Sequence, residues 1–369
     1  MLAVSLRIAL KLRPDMTSRF TAIFLSLACV MLVACGGDAD PATLDERNPE
    51  AGSAPFGKTS DAVAAQQAVA TLTAAIEASP TDPELYARRG EVYYTSDVYD
   101  RAAADLRASL KLDSTNPAVW HLLADAQLDG LRSREALNTM IYASARFKER
   151  MGTQLKLAEY QYLLQQYDDA LVTLDRAASI DENEPEVYFM LGQVFSESGD
   201  TLRAVNAYTR ATELNADLLD AWLSLGILHE AQGRAVAERY FDAAIAVDRD
   251  NAVPYRMRAD YLARQDRLAE AVAGYDEAIA RDPRLAEAFF NSGLVLIDMD
   301  SLSRAAGQFD RATALRPTYA EAHYFRGVAS ELQGNLQDAQ QRYQQALNIQ
   351  PQYEQARYAL EQLHPNDSQ

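Results

Sequence analysis

From residue 83 onward, small and bulky side chains recur in register along the chain. Ala102, Ala136, Ala170, Ala204, Ala237, Ala271, Ala305 and Ala339 follow one another at intervals of 34 residues, with a single interval of 33. Seven positions after each stands Ser109, Ala143, Ala177, Ala211, Ala244, Ala278, Ala312 or Ala346, and twelve before (eleven in the fifth unit) stands Gly90, Ala124, Ala158, Gly192, Gly226, Ala259, Gly293 or Gly327. Four residues after the first alanine comes a bulky apolar or aromatic residue every time: Leu106, Met140, Leu174, Tyr208, Phe241, Tyr275, Phe309 and Tyr343. Spacings of 4 and 7 between small and bulky positions are helical, and eight recurrences in phase mark a repeat array.

Boundary signals agree. Asp82-Pro83-Glu84, Asn116-Pro117 and Glu184-Pro185-Glu186 place proline in a first helical turn, where its missing N–H costs nothing. Gly199-Asp200, Gly233 and Gly334-Asn335 mark turns within a unit. The units run 83–116, 117–150, 151–184, 185–218, 219–251, 252–285, 286–319 and 320–353. Before them, Ala68, Leu72 and Ala75 fit the second helix of a half-unit in 61–82. After them, residues 354–369 form a polar capping helix and tail, with Glu354, Gln355, Arg357, Glu361 and Gln362 closing the open end of the stack.

These columns resemble the tetratricopeptide repeat. The resemblance implies an all-α, right-handed α-solenoid of helix pairs whose first helices line a concave wall. It also implies a protein or peptide partner held on that wall. Two departures predict local effects. Gln154 stands where an aromatic is usual, which predicts a soft junction between the second and third units. The fifth unit lacks one residue between Gly233 and Ala237, which predicts a tighter turn.

The groove-facing positions implied by the resemblance are the second, fifth, sixth, ninth, twelfth and thirteenth of each unit. In early units they give an acidic floor of Glu91, Asp125 and Glu159, with Asp260 added in the sixth. In late units they give an apolar stretch of Phe290, Asn291, Leu294, Ile297, Tyr324, Phe325, Val328 and Tyr358. Such a groove suits an extended or helical peptide, with aromatics as anchors and acids recognising basic side chains. The positions matching a chaperone-tail carboxylate clamp hold Ala87 and Glu91, and Asn291 stands alone rather than in an asparagine ladder. Arg146, Lys148, Arg150 and Lys156 form a basic island.

The N-terminus carries a different signal. Phe20–Ala34 is apolar and follows Arg19. At fifteen residues it is too short for about 30 Å of hydrocarbon, and it suits a signal-peptide core. It ends in Leu32-Val33-Ala34-Cys35-Gly36, which resembles the lipobox of bacterial lipoproteins. That resemblance implies cleavage of residues 1–34, a start at either Met1 or Met16, and acylation of Cys35. It also places the chain in the cell envelope, lipid-anchored, and Gly36 after the cysteine points to the outer membrane. Several acyl chains hold firmly, at about 0.8 kcal/mol per buried methylene. Residues 35–60 read as the lipidated cysteine and a flexible tether rich in Gly, Pro, Asp and Ser.

Composition narrows the partners. The 369-residue chain is 48% apolar with a formal net charge of −18. Residues 1–34 contribute +3, so the remainder lies near −21. A surface this acidic repels phosphate backbones, so nucleic acid is excluded as a partner. The only cysteines are Cys29 and Cys35, which leaves the body without disulfides or thiol chemistry. No nucleotide loop, HExxH or nucleophile elbow occurs, and no metal or cofactor is implied. His121, His229, His323 and His364 sit in different units or beyond the last, as packing residues. The run Asp181-Glu182-Asn183-Glu184 lacks the glycine and spacing of a calcium loop. The reading is a monomeric, non-enzymatic scaffold. The alternative is a subunit or regulator of a glycan-modifying cell-wall enzyme, with Asp125 and Glu159 as a carboxylate pair.

Overall fold

The computed structural model describes residues 60–363. The signal segment, Cys35, most of the tether, His364 and the tail lie outside them. All regular secondary structure among the described residues is helical. The helices fall into two compact bodies, divided between Asn215 and Ala216. The first holds α1 (Ser60–Ala78), α2 (Pro83–Tyr94), α3 (Tyr99–Leu112), α4 (Pro117–Asp129), α5 (Ser133–Arg146), α6 (Met151–Leu163), α7 (Tyr167–Ile180), α8 (Pro185–Glu197) and α9 (Thr201–Leu214). The second holds α10 (Leu219–Ala231), α11 (Ala237–Val247), α12 (Ala252–Arg264), α13 (Leu268–Arg281), α14 (Ala286–Asp298), α15 (Leu302–Leu315), α16 (Ala320–Leu332), α17 (Leu336–Ile349) and α18 (Glu354–Leu363). Within each body consecutive helices pair, and first helices also touch first helices of the next unit, as in α2–α4–α6–α8 and α12–α14–α16.

Local chemistry starts and stops the helices. Asp82, Asn116 and Asn251 cap α2, α4 and α12, each accepting from the N–H two residues on at 2.9–3.0 Å. The turn between first and second helix always contains one residue in the left-handed region. That residue is Asp97, Leu131, Gln165 or Gly199 in the first body, and Gly233, Asp266, Asp300 or Gly334 in the second. Glycine marks three of these turns; five are closed by other residues, with φ between 56° and 62°.

The fourth position of the first helix supplies a rung that ties each helix to the loop before it. A side-chain donor there reaches the carbonyl six residues upstream. In the first body the rungs are Tyr86 to Pro80, Trp120 to Ser114, Gln154 to Lys148 and Tyr188 to Glu182, at 2.9–3.1 Å. In the second they are Trp222 to Ala216, Tyr255 to Arg249, His323 to Pro317 and Arg357 to Pro351, at 2.7–3.3 Å. A carbonyl can only accept, so His323 carries its proton on Nε2.

Gln154 fills the aromatic's place at the junction of the second and third units with hydrogen bonds. It is fully buried, and its Oε1 accepts from Ser144 Oγ at 2.7 Å. Its Nε2 lies within 3.1–3.3 Å of the carbonyls of Ser144, Phe147 and Lys148, at the C-terminal end of α5. A planar amide serves carbonyls that a helix end otherwise leaves without partners.

The small-residue columns mark close approach. A Cβ added at Gly192, Gly226, Gly293 or Gly327 would sit 2.5–2.7 Å from the ring of Tyr208, Phe241, Phe309 or Tyr343. In the sixth unit Ala259 takes the glycine's place, and the vacated space has moved across to α13. There a Cβ on Gly274 would lie 2.9 Å from that of Ala259. The missing residue of the fifth unit comes out of the first turn of α11. Ala237 N–H bonds Arg234 O three residues back, where Ala271 and Ala305 bond carbonyls four back.

Candidate interaction site

On the first body, successive first helices carry the acidic positions. Glu91 is exposed on α2, Asp125 is partly exposed on α4, and Glu159 is exposed on α6. Lys156 joins the latter two: its Nζ lies 2.9 Å from Asp125 Oδ1 and 3.7 Å from Glu159 Oε2. Tyr160, buried beneath, donates its hydroxyl to Asp125 Oδ1 at 2.6 Å. Burial alone would depress the Lys156 ammonium, but Asp125 and Glu159 outweigh it and hold its pKa above the ordinary value. Burial and then Asp125 push the Tyr160 phenol upward, so it stays a donor. One helix over, Tyr94 donates to Asp129 Oδ2 at 2.8 Å, binding α2 to α4. His121 contacts Thr153 Oγ1 at 3.0 Å, and burial, then the Lys156 charge, lowers its pKa.

Among the described residues no group of three or more His, Cys, Asp or Glu is placed to hold a metal.

The predicted apolar groove of the second body is largely interior. Phe290, Leu294 and Ile297 of α14 and Phe325 and Val328 of α16 are buried in one continuous cluster with Phe309 and Tyr343. Phe290 lies 4.9–5.8 Å, ring centre to ring centre, from Phe309, Tyr319 and Phe325. These five side chains pack unit against unit and are not presented to a partner. Ten of the thirteen residues of α14 are buried, as befits a helix apolar on every side. Tyr324 is half-buried against Phe325, Tyr343 and Tyr353. Tyr358 alone of the eight is exposed, at 65%.

Asn291 and Asp260 also differ from the expected floor. Asp260 is buried, and its Oδ1 accepts from Tyr275 at 2.7 Å and from Asn291 Nδ2 at 2.8 Å. Its Oδ2 pairs with Arg256 at 2.7 Å. This satisfied internal network couples α12, α13 and α14. Reading one column of the sequence at a time could not locate it, because its members come from four different columns. On the first body Tyr94 and Asp129 fall in the twelfth and thirteenth columns expected to face the groove, whereas Tyr160, at a tenth position, lies outside the expected columns. Their signal was an offset of 35 residues linking the twelfth position to the thirteenth of the next unit, and the ninth to the tenth.

The family model for the tetratricopeptide repeat matches residues 65–117, 189–254 and 290–354. The chain carries tetratricopeptide repeats. Among curated proteins, these repeats are 25% identical over 199 residues to mouse Superkiller complex protein 3, covering 50% of this chain and 13% of that protein. They are 25% identical over 181 residues to subunit 3 of the anaphase-promoting complex of Schizosaccharomyces pombe, covering 49% of this chain and 26% of that one. The chain therefore spans only an eighth to a quarter of these relatives. A solved structure, the APC/C hetero-tetramer Cut9-Hcn1, aligns with a TM-score of 0.49 and 17% identity, over 84% of this chain and 60% of that one. Tetratricopeptide repeats act as protein-interaction scaffolds, and the helical-pair solenoid described here is that architecture.

Proposed function

We propose that this chain is a lipid-anchored scaffold of a bacterial cell envelope. On this reading it holds a protein or peptide segment with basic side chains against the first helices of residues 60–215. The observation that carries the proposal is the line of surface carboxylates at Glu91, Asp125, Asp129 and Glu159, on three successive first helices with Tyr94 among them. First-helix axes in contact lie roughly 8–10 Å apart. A segment in the polyproline II conformation has three residues per turn and rises about 3.1 Å per residue, so basic side chains at every third position share one face and meet successive carboxylates. The relatives support a scaffold, since both are named as members of complexes.

Two experiments test the halves separately. Calorimetric titration with a peptide bearing arginine at every third position should give salt-sensitive binding that Glu91→Gln with Glu159→Gln weakens about tenfold. Equal affinity in the double variant would refute the assigned face. For the anchor, wild-type cells fed labelled palmitate should label the protein and retain it in membranes, whereas Cys35→Ser should do neither. An unlabelled wild-type protein recovered free of membranes would refute the lipid. The anchor rests on the resemblance of Leu32-Val33-Ala34-Cys35-Gly36 to a lipobox.

A further inference from the structure

The second unit differs from its neighbours on the side away from the first-helix carboxylates. The outward face of a second helix should be polar. At the two outward positions where α3 has Arg107 and Ala108, α7 has Asp175 and Arg176, and α9 has Thr209 and Arg210, α5 carries Ile141 and Tyr142. These are 46% and 55% exposed, while Met140 and Ala143 beside them are fully buried. Tyr142 lies against Trp120, with ring centres 4.9 Å apart. One backbone carbonyl organises the spot: Ser114 O accepts from Trp120 Nε1 at 3.1 Å and from Arg146 Nε at 3.0 Å. Trp120, Tyr142 and Arg146 are thus held together, with exposed Leu112 at the end of α3 nearby in the chain.

Charge identifies the occupant. The chain carries −18 overall and has only five lysines. Yet Lys111 and Arg146 fall in the last turns of α3 and α5, and Lys148 and Arg150 in the loop after α5, against Asp113 and Glu149. Asp113 is turned to the backbone and hydroxyl of Thr115, at 2.7–2.8 Å. We propose that the face formed by Trp120, Ile141, Tyr142 and Arg146 docks an acidic polypeptide segment bearing apolar side chains. It is a second interaction surface, independent of the first-helix carboxylates. The aromatic and aliphatic side chains supply a desolvated centre and the cations select the sign of the rim. A nucleic acid or an anionic bilayer is a long polyanion and meets the acidic remainder of the chain; a short segment does not.

The chain has two tryptophans, so the full-length Trp222→Phe protein in detergent solution reports on Trp120 alone. Phenylalanine is tolerated in that column, as Phe289 shows. The titrants are a short peptide alternating glutamate with leucine and phenylalanine, the same peptide with lysine for glutamate, a single-stranded oligonucleotide, and vesicles containing phosphatidylglycerol. The proposal expects a saturable change in Trp120 fluorescence with the acidic peptide only. Binding should fall about tenfold in Ile141→Ser and in Arg146→Gln, and weaken as salt rises. Both side chains are exposed, and unchanged melting of the variants establishes that the loss is local. Several results would overturn the proposal: no saturable change with the acidic peptide, equal binding by the lysine peptide or by both variants, or a response to oligonucleotide or vesicles instead. Light scattering that rises with protein concentration through the same residues would assign the face to a second copy and equally overturn it.

Discussion

Gln154 stands in a column whose other members are Tyr, Trp, Phe, His and Arg, and only the geometry explains why these types interchange. Each except Phe289 delivers a donor to a carbonyl six residues upstream. Gln154 additionally accepts from Ser144 inside a fully buried site. Gln154→Leu keeps the volume but orphans the Ser144 hydroxyl and several carbonyls. Denaturant unfolding should show a loss of roughly 2–4 kcal/mol, since each buried unsatisfied group costs about 1–3 kcal/mol. Leu131 makes the opposite case. It is 77% exposed, with φ of 60°, in a turn where other units place glycine, aspartate or glutamine. A side chain in the left-handed region costs about 1–2 kcal/mol, partly offset in Leu131→Gly by the greater freedom of glycine in the unfolded chain. Leu131→Gly should therefore raise stability by about 0.5–1 kcal/mol, visible as a higher melting temperature.

Among the helices, α10 and α11 show what a shortened unit entails. Removing a residue converts the first turn of α11 to a three-residue hydrogen bond and leaves the helix at 11 residues, against 14 in α13 and α15. Beside it His229 of α10 is buried, stacked on Tyr240 at 4.9 Å, and neither ring nitrogen has a hydrogen-bond partner. Burial, then the Arg234 charge, lowers its pKa in the folded state. Above the unfolded value of about 6.5 the ring is neutral in both states and stability is unaffected. As pH falls below that value the unfolded chain takes a proton that the folded chain refuses, so stability drops until the lowered folded pKa is reached. His121 shifts in the same direction and adds to the slope. Melting followed from about pH 7 to 5 should fall less steeply in His229→Phe than in wild type; an identical slope would remove His229 from the account.

Taken as a whole, the second body is closed by α18. Its Ala359, Leu360 and Leu363 pack against the cluster that contains Phe325 and Tyr343. Its outer side carries Glu354, Gln355, Arg357 and Glu361. Deleting residues 354–369 bares that apolar end, so light scattering should show concentration-dependent association absent from the intact chain. Periodicity, with the resemblance it carries to the tetratricopeptide repeat, was enough to reveal helix pairs, their small-residue contacts and the polar cap, because helices meet through local, in-register side chains that one line of sequence displays. The same line could not tell an apolar position that faces a partner from one that faces the next unit, so Phe290, Leu294 and Phe325 read as a groove and proved to be core. It could not pair Asp125 and Glu159 through Lys156, nor gather Asp260, Tyr275, Asn291 and Arg256. Those outcomes depend on distances between helices that are remote in the chain, and such distances exist only once the units have stacked.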